Sequence, residues 1–320
     1  MARTAHPPDL TTLNRRLRWA LGDDGALVLQ RRRNAYAASF PAEIVTCRLG
    51  DETVVRLFCK YESGASEGSH GHRGGVVYEA EIYQQLLVRA GVSTPRFYGA
   101  WTDPTDNTAL LAIEHLDAAL RLNKSRDSSS FLVRAAVWIA RFQRLVTQRL
   151  ETPTLGRRYG RDYYLGWSQR AADNVARVGL HHPWLAPLRR RFEDSLGLLT
   201  DGVQVPIHGE FYPRNILVHA GRIRPVDWES AALAVGEIDL ASLVERWSPG
   251  VADACRTAYA DTRWPGRPPS DFGPRLDLAR IYLHFRWISS NSFLAAPAQF
   301  AWRFAELLSI GDRLGSSPSG

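Results

Sequence analysis

Residues 207–218 read IHGEFYPRNILV, and residues 225–229 read PVDWE. Glu210 places a carboxylate five positions before the amide of Asn215, which opens the apolar run Ile216-Leu217-Val218. Gly221 marks a turn in HAGRI, and a second short run leads to Asp227. Two strands joined by a tight turn bring Asn215 and Asp227 to neighbouring ends. Hard oxygen donors with room for waters and phosphate oxygens are what Mg2+ prefers. A carboxylate just upstream is suited to accept a proton from an alcohol attacking a phosphoryl group. The combination points to metal-assisted phosphoryl transfer.

The bulk properties are compatible with that chemistry. A chain of 320 residues suggests about two domains and can bury a core without disulfides. No apolar run approaches the ~18 residues needed to span a bilayer. MARTAHPPDL at the N-terminus has no apolar h-region, so no signal peptide is expected. Cys47, Cys59 and Cys255 form no CxxC pair. The first two sit in apolar strand patterns and read as core thiols, with a reducing cytoplasm the simplest compartment. The net charge of +7 is spread in small groups such as the arginine triplets at 31–33 and 189–191. Without aromatic interleaving this is a solvated basic surface, and neither nucleic acid nor a membrane is an expected partner.

Along the chain, residues 1–10 and the tail 315–320 have the small, polar composition of disordered ends. EIVTCRL (43–49) and TVVRLFCKY (53–61), split by GDE, read as a β-hairpin. Period-two alternation puts Val54, Arg56, Phe58 and Lys60 on one face. After a Gly/Ser/His loop, Tyr78, Ile82 and Leu86 recur at helical spacing up to Gly91. STPRFYGAW and TALLAIEHL are two further strands. The first ~113 residues are thus a small, mostly antiparallel β unit with one helix. Beyond EHLDAA the pattern turns helical: Phe131, Ala135, Trp138, Phe142 and Leu145 make a stripe, and helical patterns cover about 170–200, 237–247, 251–261, 275–292 and 296–313. The predicted organisation is α+β: residues 11–113, a hinge at 114–117, and a larger helical region over 118–314.

The acid and asparagine around 210 and 215 are spaced as in the kinase catalytic loop. With His-Gly ahead of the acid, VDWE behind it and GEIDLA (236–241) further on, the chain resembles the aminoglycoside phosphotransferase and choline kinase group. These small-molecule kinases are built on a bilobal protein-kinase-like fold. The resemblance implies ATP and Mg2+ as cofactors and a small-molecule hydroxyl acceptor as partner. It assigns Glu210 as base and Asn215 and Asp227 as metal ligands. Lys60 would bind nucleotide phosphates, paired with a glutamate of the following helix. That helix offers Glu79 and Glu81, which are about 200° apart, so only one faces the lysine. Spacing to TPRFYG in the family favours Glu81. The backbone of Glu114 and Leu116 would meet the adenine edge, while His208 and Asp239 would brace the catalytic loop. Glu229 is read as a neighbour of the metal site. NAYAASFP (34–41) stands where the phosphates would be covered, with Ser39 or the amide near Ala38 as candidate contacts. His70 and His72 lack carboxylate or cysteine company and read as loop polarity.

The chain departs from the family pattern at one decisive place: Glu210 stands where aspartate is usual. A misplacement of about 1 Å can cost ~100-fold in rate. Either the surroundings compensate or the protein is a catalytically weak, nucleotide-binding pseudokinase acting through a partner. Arg214 is also unusual beside Asn215. The expected acceptor-lining segments, LGRRYGRDYYLGWSQR (155–170) and ARIYLHFRWISSN (279–291), are rich in Tyr, Trp and Arg and poor in acid, Asp162 excepted. That composition disfavours a polycationic aminoglycoside and suits a sugar, a nucleoside or an anionic metabolite.

Overall fold

Asp9 starts the first helix. Its Oδ1 accepts the Thr12 amide at 2.9 Å, satisfying one of the unpaired N–H groups of a helix N-terminus. Helix α1 (Leu10–Leu21) follows and ends at Gly22, whose φ of 62° is the left-handed stop. The computed structural model describes residues 7–34, 40–62, 72–149 and 155–316. Of residues 1–10, expected to be disordered, Asp9 caps this helix and Leu10 opens it, and residues 1–6 lie outside the described ones. The tail expected at 315–320 falls largely outside them as well.

Five strands form one antiparallel sheet in the order β1-β2-β3-β5-β4. They are β1 (Leu27–Arg33), β2 (Ala42–Arg48), β3 (Val54–Glu62), β4 (Phe97–Asp103) and β5 (Thr108–Glu114). Cys47 and Cys59 are free thiols in its core, with Val45, Leu57 and Leu110, and Leu13 and Leu17 of α1 join them. The region holds more helix and strand than its sequence pattern predicts. α1 buries only Leu13 and Leu17 among polar neighbours, and the arginines of β1 mask its alternation. Such charges suit an edge strand, where they discourage further pairing.

Helix α2 (Gly75–Ile82) is anchored by β3: Glu62 Oε2 accepts the Val76 amide at 2.7 Å. It runs through a π-helical turn (Tyr83–Leu87) into α3 (Val88–Ala90). β6 (Leu120–Arg121) follows, and then the chain is mainly helical: α4 (Ser128–Arg149), α5 (Arg161–Arg177), α6 (Leu185–Asp194) and α7 (Gly197–Thr200). In α4 Ala135 and Phe142 are buried as the stripe predicts. Leu132, Ile139 and Val146, seven apart, complete the buried face in place of Phe131, Trp138 and Leu145.

The remaining strands are β7 (Val205–Ile207), β8 (Ile216–His219), β9 (Arg222–Pro225) and β10 (Ala232–Ala234). The remaining helices are α8 (Glu237–Val244), α9 (Pro249–Arg263), α10 (Phe272–Ile288), α11 (Asn291–Ala295) and α12 (Ala301–Ser316). The chain divides into two units: residues Met1–Phe131 with Pro213–Ala231, and Leu132–Tyr212 with Ala232–Gly320. In the first, β8 pairs with β6 and β9 in a second, three-stranded sheet, and the segment carrying Asn215 and Asp227 belongs to the same unit as Lys60. In the second, α10 packs on α5, α7, α8 and α12, and β7 pairs with β10. Antiparallel strands in the N-terminal region and helices in the C-terminal region are the α+β arrangement expected. No helix among the described residues is long and apolar enough to cross a membrane.

At Gly99, in β4, α1 lies directly on the sheet: a Cβ there would sit 1.8 Å from the Ala20 carbonyl oxygen. Backbone on backbone leaves no flexible atom to yield. Gly99→Ala is expected to lower unfolding free energy by about 1–3 kcal/mol, read from urea denaturation, as overpacking of a closed contact does.

Candidate active site

Two clusters of polar side chains, one in each unit, carry the residues singled out in the sequence. The first is built on β3. Alternation carries the Lys60 side chain to one face of the sheet, where its Nζ lies 2.7 Å from Glu79 Oε2 and 2.7 Å from Asp227 Oδ1. Glu229 Oε2 is 3.6 Å away. Burial alone would pull the ammonium pKa down, but Glu79, Asp227 and Glu229 outweigh it and hold it well above the ordinary lysine value. Burial raises the Glu79 carboxyl, and the neighbouring ammonium opposes that rise.

The glutamate paired with Lys60 is thus Glu79, a correction to the Glu81 favoured by family spacing. Positions 79, 82 and 86 share one helix face, and that face is buried, whereas Glu81 is exposed on the opposite side of α2. Glu79 also accepts the Trp228 amide through Oε1 at 3.1 Å, which ties α2 to the segment after β9.

Asp227 adopts φ 71°, ψ 58°. A left-handed aspartate costs about 1 kcal/mol or more, and such residues concentrate at functional sites. Asn215 closes a 3-10 turn (Pro213–Asn215), and its carbonyl accepts the Val226 amide at 2.9 Å. With Ile216 opposite Pro225 in the β8–β9 ladder, the hairpin brings the two backbones together as the turn in the sequence predicts.

Glu229 is fully buried, and neither carboxylate oxygen accepts a hydrogen bond among the described residues. Its nearest cations are Lys60 and Arg73, the latter with Nε at 3.3 Å. Burial pushes its carboxyl up to about 7. Ligand oxygens of Glu79, Asp227 and Glu229 lie within 4.8 Å of one another. This all-oxygen set, with a buried carboxylate lacking hydrogen bonds, fits a hard divalent cation.

The second cluster braces the loop of residues 208–212. Asp239, in the first turn of α8, accepts the His208 amide at 2.8 Å through one oxygen and the Gly209 amide at 2.9 Å through the other. Gln143 Nε2 adds a third donor at 3.4 Å. Burial drives the Asp239 carboxyl up to about 7 against these three donors. Gly209 turns the chain at φ 79°. His208 is buried, its Nδ1 accepts the Glu210 amide at 3.3 Å, and its ring meets Phe211 edge-on. The Glu210 side chain is buried, and its Oε1 lies 3.3 Å from Arg286 Nη1. Arg286 also donates through Nη2 to the Tyr212 hydroxyl, which accepts Trp287 Nε1 at 2.9 Å. Arg286 and Tyr212 were not singled out individually in the sequence. The signal for Arg286 was the Tyr/Trp/Arg enrichment of residues 279–291, and Tyr212 lies inside the loop motif itself.

The other predicted positions are dispersed. The Glu114 amide donates to Arg96 O at 2.8 Å and its carboxylate accepts the Arg96 amide at 3.1 Å, while Leu116 is buried beside it. A cavity of about 560 Å³ is lined by Gln30, Thr46, Arg56, Glu114, His115 and Asp117, with an Arg56–Asp117 ion pair of 2.8 Å. Ser39, Ala38 and His70 lie outside the described residues, and His72 is buried. Arg214 is exposed. In the two aromatic segments Tyr159 stacks on Tyr163 at 3.9 Å, and the Tyr163 and Tyr282 hydroxyls are 2.8 Å apart. Much of that aromatic surface is therefore core.

The model of the phosphotransferase enzyme family matches residues 10–271. The chain belongs to this family. Solved structures share the phosphotransferase's protein-kinase-like fold. A putative fructosamine-3-kinase from Thermobifida fusca is 18% identical, with 97% of this chain and 100% of that one covered and a TM-score of 0.63. The GDP complex of aminoglycoside 2'-phosphotransferase-IIIa is 13% identical over 96% and 99% of the two chains, TM-score 0.63. The choline kinase LicA from Streptococcus pneumoniae is 15% identical over 90% and 95%, TM-score 0.58. No curated protein matches the sequence.

A pH dependence follows from Asp239. Its folded pKa, about 7, lies above the ordinary aspartate value, so the folded state binds more protons in between. That contribution to stability is full below about pH 4 and is lost as pH rises through 7. Asp239→Asn removes the titration and should flatten this slope. Urea denaturation at pH 5 and pH 7.5 measures it.

Proposed function

We propose that this phosphotransferase moves the γ-phosphoryl group of ATP to a hydroxyl of a small molecule, with Mg2+ as metal cofactor and Glu210 as base. The observation that carries the reading is the buried contact of Lys60 with Glu79 and Asp227 in a chain of this family. Phosphoryl transfer asks little covalent chemistry of the protein and much positioning of charge. Glu79 would orient the Lys60 ammonium toward nucleotide phosphates. Asp227 and Asn215 would hold the metal, with Glu229 beside them, and the metal would neutralise charge on the phosphates. The backbone of Glu114 and Leu116 would bind the nucleotide base. His208 and Asp239 would keep the loop in shape for Glu210 to orient the acceptor hydroxyl and receive its proton.

For the acceptor, the relatives with solved structures include kinases named for choline, fructosamine and an aminoglycoside. The aromatic, arginine-rich and acid-poor segments at 155–170 and 279–291 support a sugar- or nucleoside-like hydroxyl compound over a polycation, and the structures named for choline and fructosamine keep an amino alcohol among the candidates. A nucleotide-binding pseudokinase acting through a partner is the second reading, favoured by one observation: the Glu210 carboxylate is buried against Arg286.

Incubation with ATP, Mg2+ and a panel of sugars, nucleosides and amino alcohols tests the two. Acceptor-dependent ADP release is expected, abolished in Asp227→Ala and reduced about 100-fold or more in Glu210→Gln, the range of lost general-base catalysis. Nucleotide binding without turnover across the panel would favour the pseudokinase.

A further inference from the structure

Glu210 extends one methylene beyond the aspartate usual in this family. In this chain the extra length reaches Arg286, with Oε1 of the glutamate 3.3 Å from Nη1 of the arginine. Both side chains are almost wholly shielded, Glu210 at 5% and Arg286 at 6% exposure, so each charge offsets part of the cost of burying the other. Burial opposes the charge on Arg286, but Tyr212 and Glu210 overcome it and keep the guanidinium protonated.

The arginine is held in turn. Its second amino group donates to the Tyr212 hydroxyl, which also accepts the indole N–H of Trp287 at 2.9 Å. Tyr212 is tied back to Glu210 through the backbone, its amide donating to the Glu210 carbonyl at 2.7 Å. One guanidinium therefore grips the Glu210-Phe211-Tyr212 turn at both side chains. It does so from α10, which packs on α5 and on α8, the helix that carries Asp239. The guanidinium that meets the carboxylate is thus carried by a helix packed on two others.

We propose that Arg286 is the positioning residue for Glu210, and that this grip is what makes a glutamate serviceable in the base position. The proposal rests on the kinase reading above. Without that contact the longer side chain would have more rotamers open to it, and it would leave the geometry the acceptor hydroxyl needs.

The test is a double-mutant cycle on the full chain: wild type, Arg286→Met, Glu210→Asp and the double variant. kcat and KM are measured for the acceptor that the wild type phosphorylates, with melting temperatures to verify folding. Arg286→Met is expected to lower kcat about 30-fold, a loss of orientation, while acceptor KM stays within about threefold. In the Glu210→Asp background, where the shorter carboxylate does not reach the guanidinium, the same change should cost less than about threefold. Arg286→Lys keeps one cationic donor and should recover part of the rate. It also carries the test if the methionine variant does not fold. Equal losses in both backgrounds would overturn the proposal, as would a rise in kcat in Arg286→Met, which would make the pair a lock on the base. A wild type that binds nucleotide but transfers nothing would sink the kinase reading itself, and this role with it.

Discussion

A lysine ammonium in a protein interior is stable only if its charge is met there, because leaving water costs several kcal/mol. Lys60 satisfies that condition by drawing three distant segments to one point: its own strand, Glu79 from α2, and Asp227 from the turn after β9. The rest of the first unit is arranged around this requirement. Glu62 pins the start of α2, Glu79 accepts the Trp228 amide, and the hairpin β8–β9 presents Asp227 in a left-handed conformation. Asp227 belongs to the same compact unit as Lys60 although 167 positions separate them.

The loop at 208–212 obeys a second constraint of the same kind. A turn with a buried histidine and glycine leaves backbone N–H groups that need acceptors, and Asp239 takes two of them with its two oxygens. The carboxylate that follows is equally buried and takes Arg286. Each unit therefore contains a buried charge whose partner lies far away in sequence. Such groups contribute little net stability but make alternative arrangements expensive.

Much of this was legible in the sequence because it depends on local spacing. The strands β2 to β5, the helix after the glycine-rich loop and the hairpin leading to Asp227 follow from periodicity and turn residues. His208, Asp239, Asn215 and Lys60 follow from motif order. Glu79 was not resolved from Glu81 by that route, since two glutamates two apart differ only in the helix face they occupy. The burial of Tyr83 and Leu86, with the Tyr83 ring stacked on Phe97 of β4, shows which face is inward. Helix α1 was hidden by its composition: its cap is a single aspartate, and only Leu13 and Leu17 are buried. Arg286 was visible only as one member of an aromatic and basic run, because what distinguishes it is a partner 76 residues upstream, read from the distance between them.

The sequence alone determined the family, the fold class and the order of the chemical groups, since a loop's spacing and a strand's alternation are properties of neighbouring residues. Only the tertiary structure decided which glutamate pairs with Lys60 and what holds Glu210. Those choices are made by the desolvation of charges, and a charge is desolvated by whatever the fold packs around it, however far away in the chain.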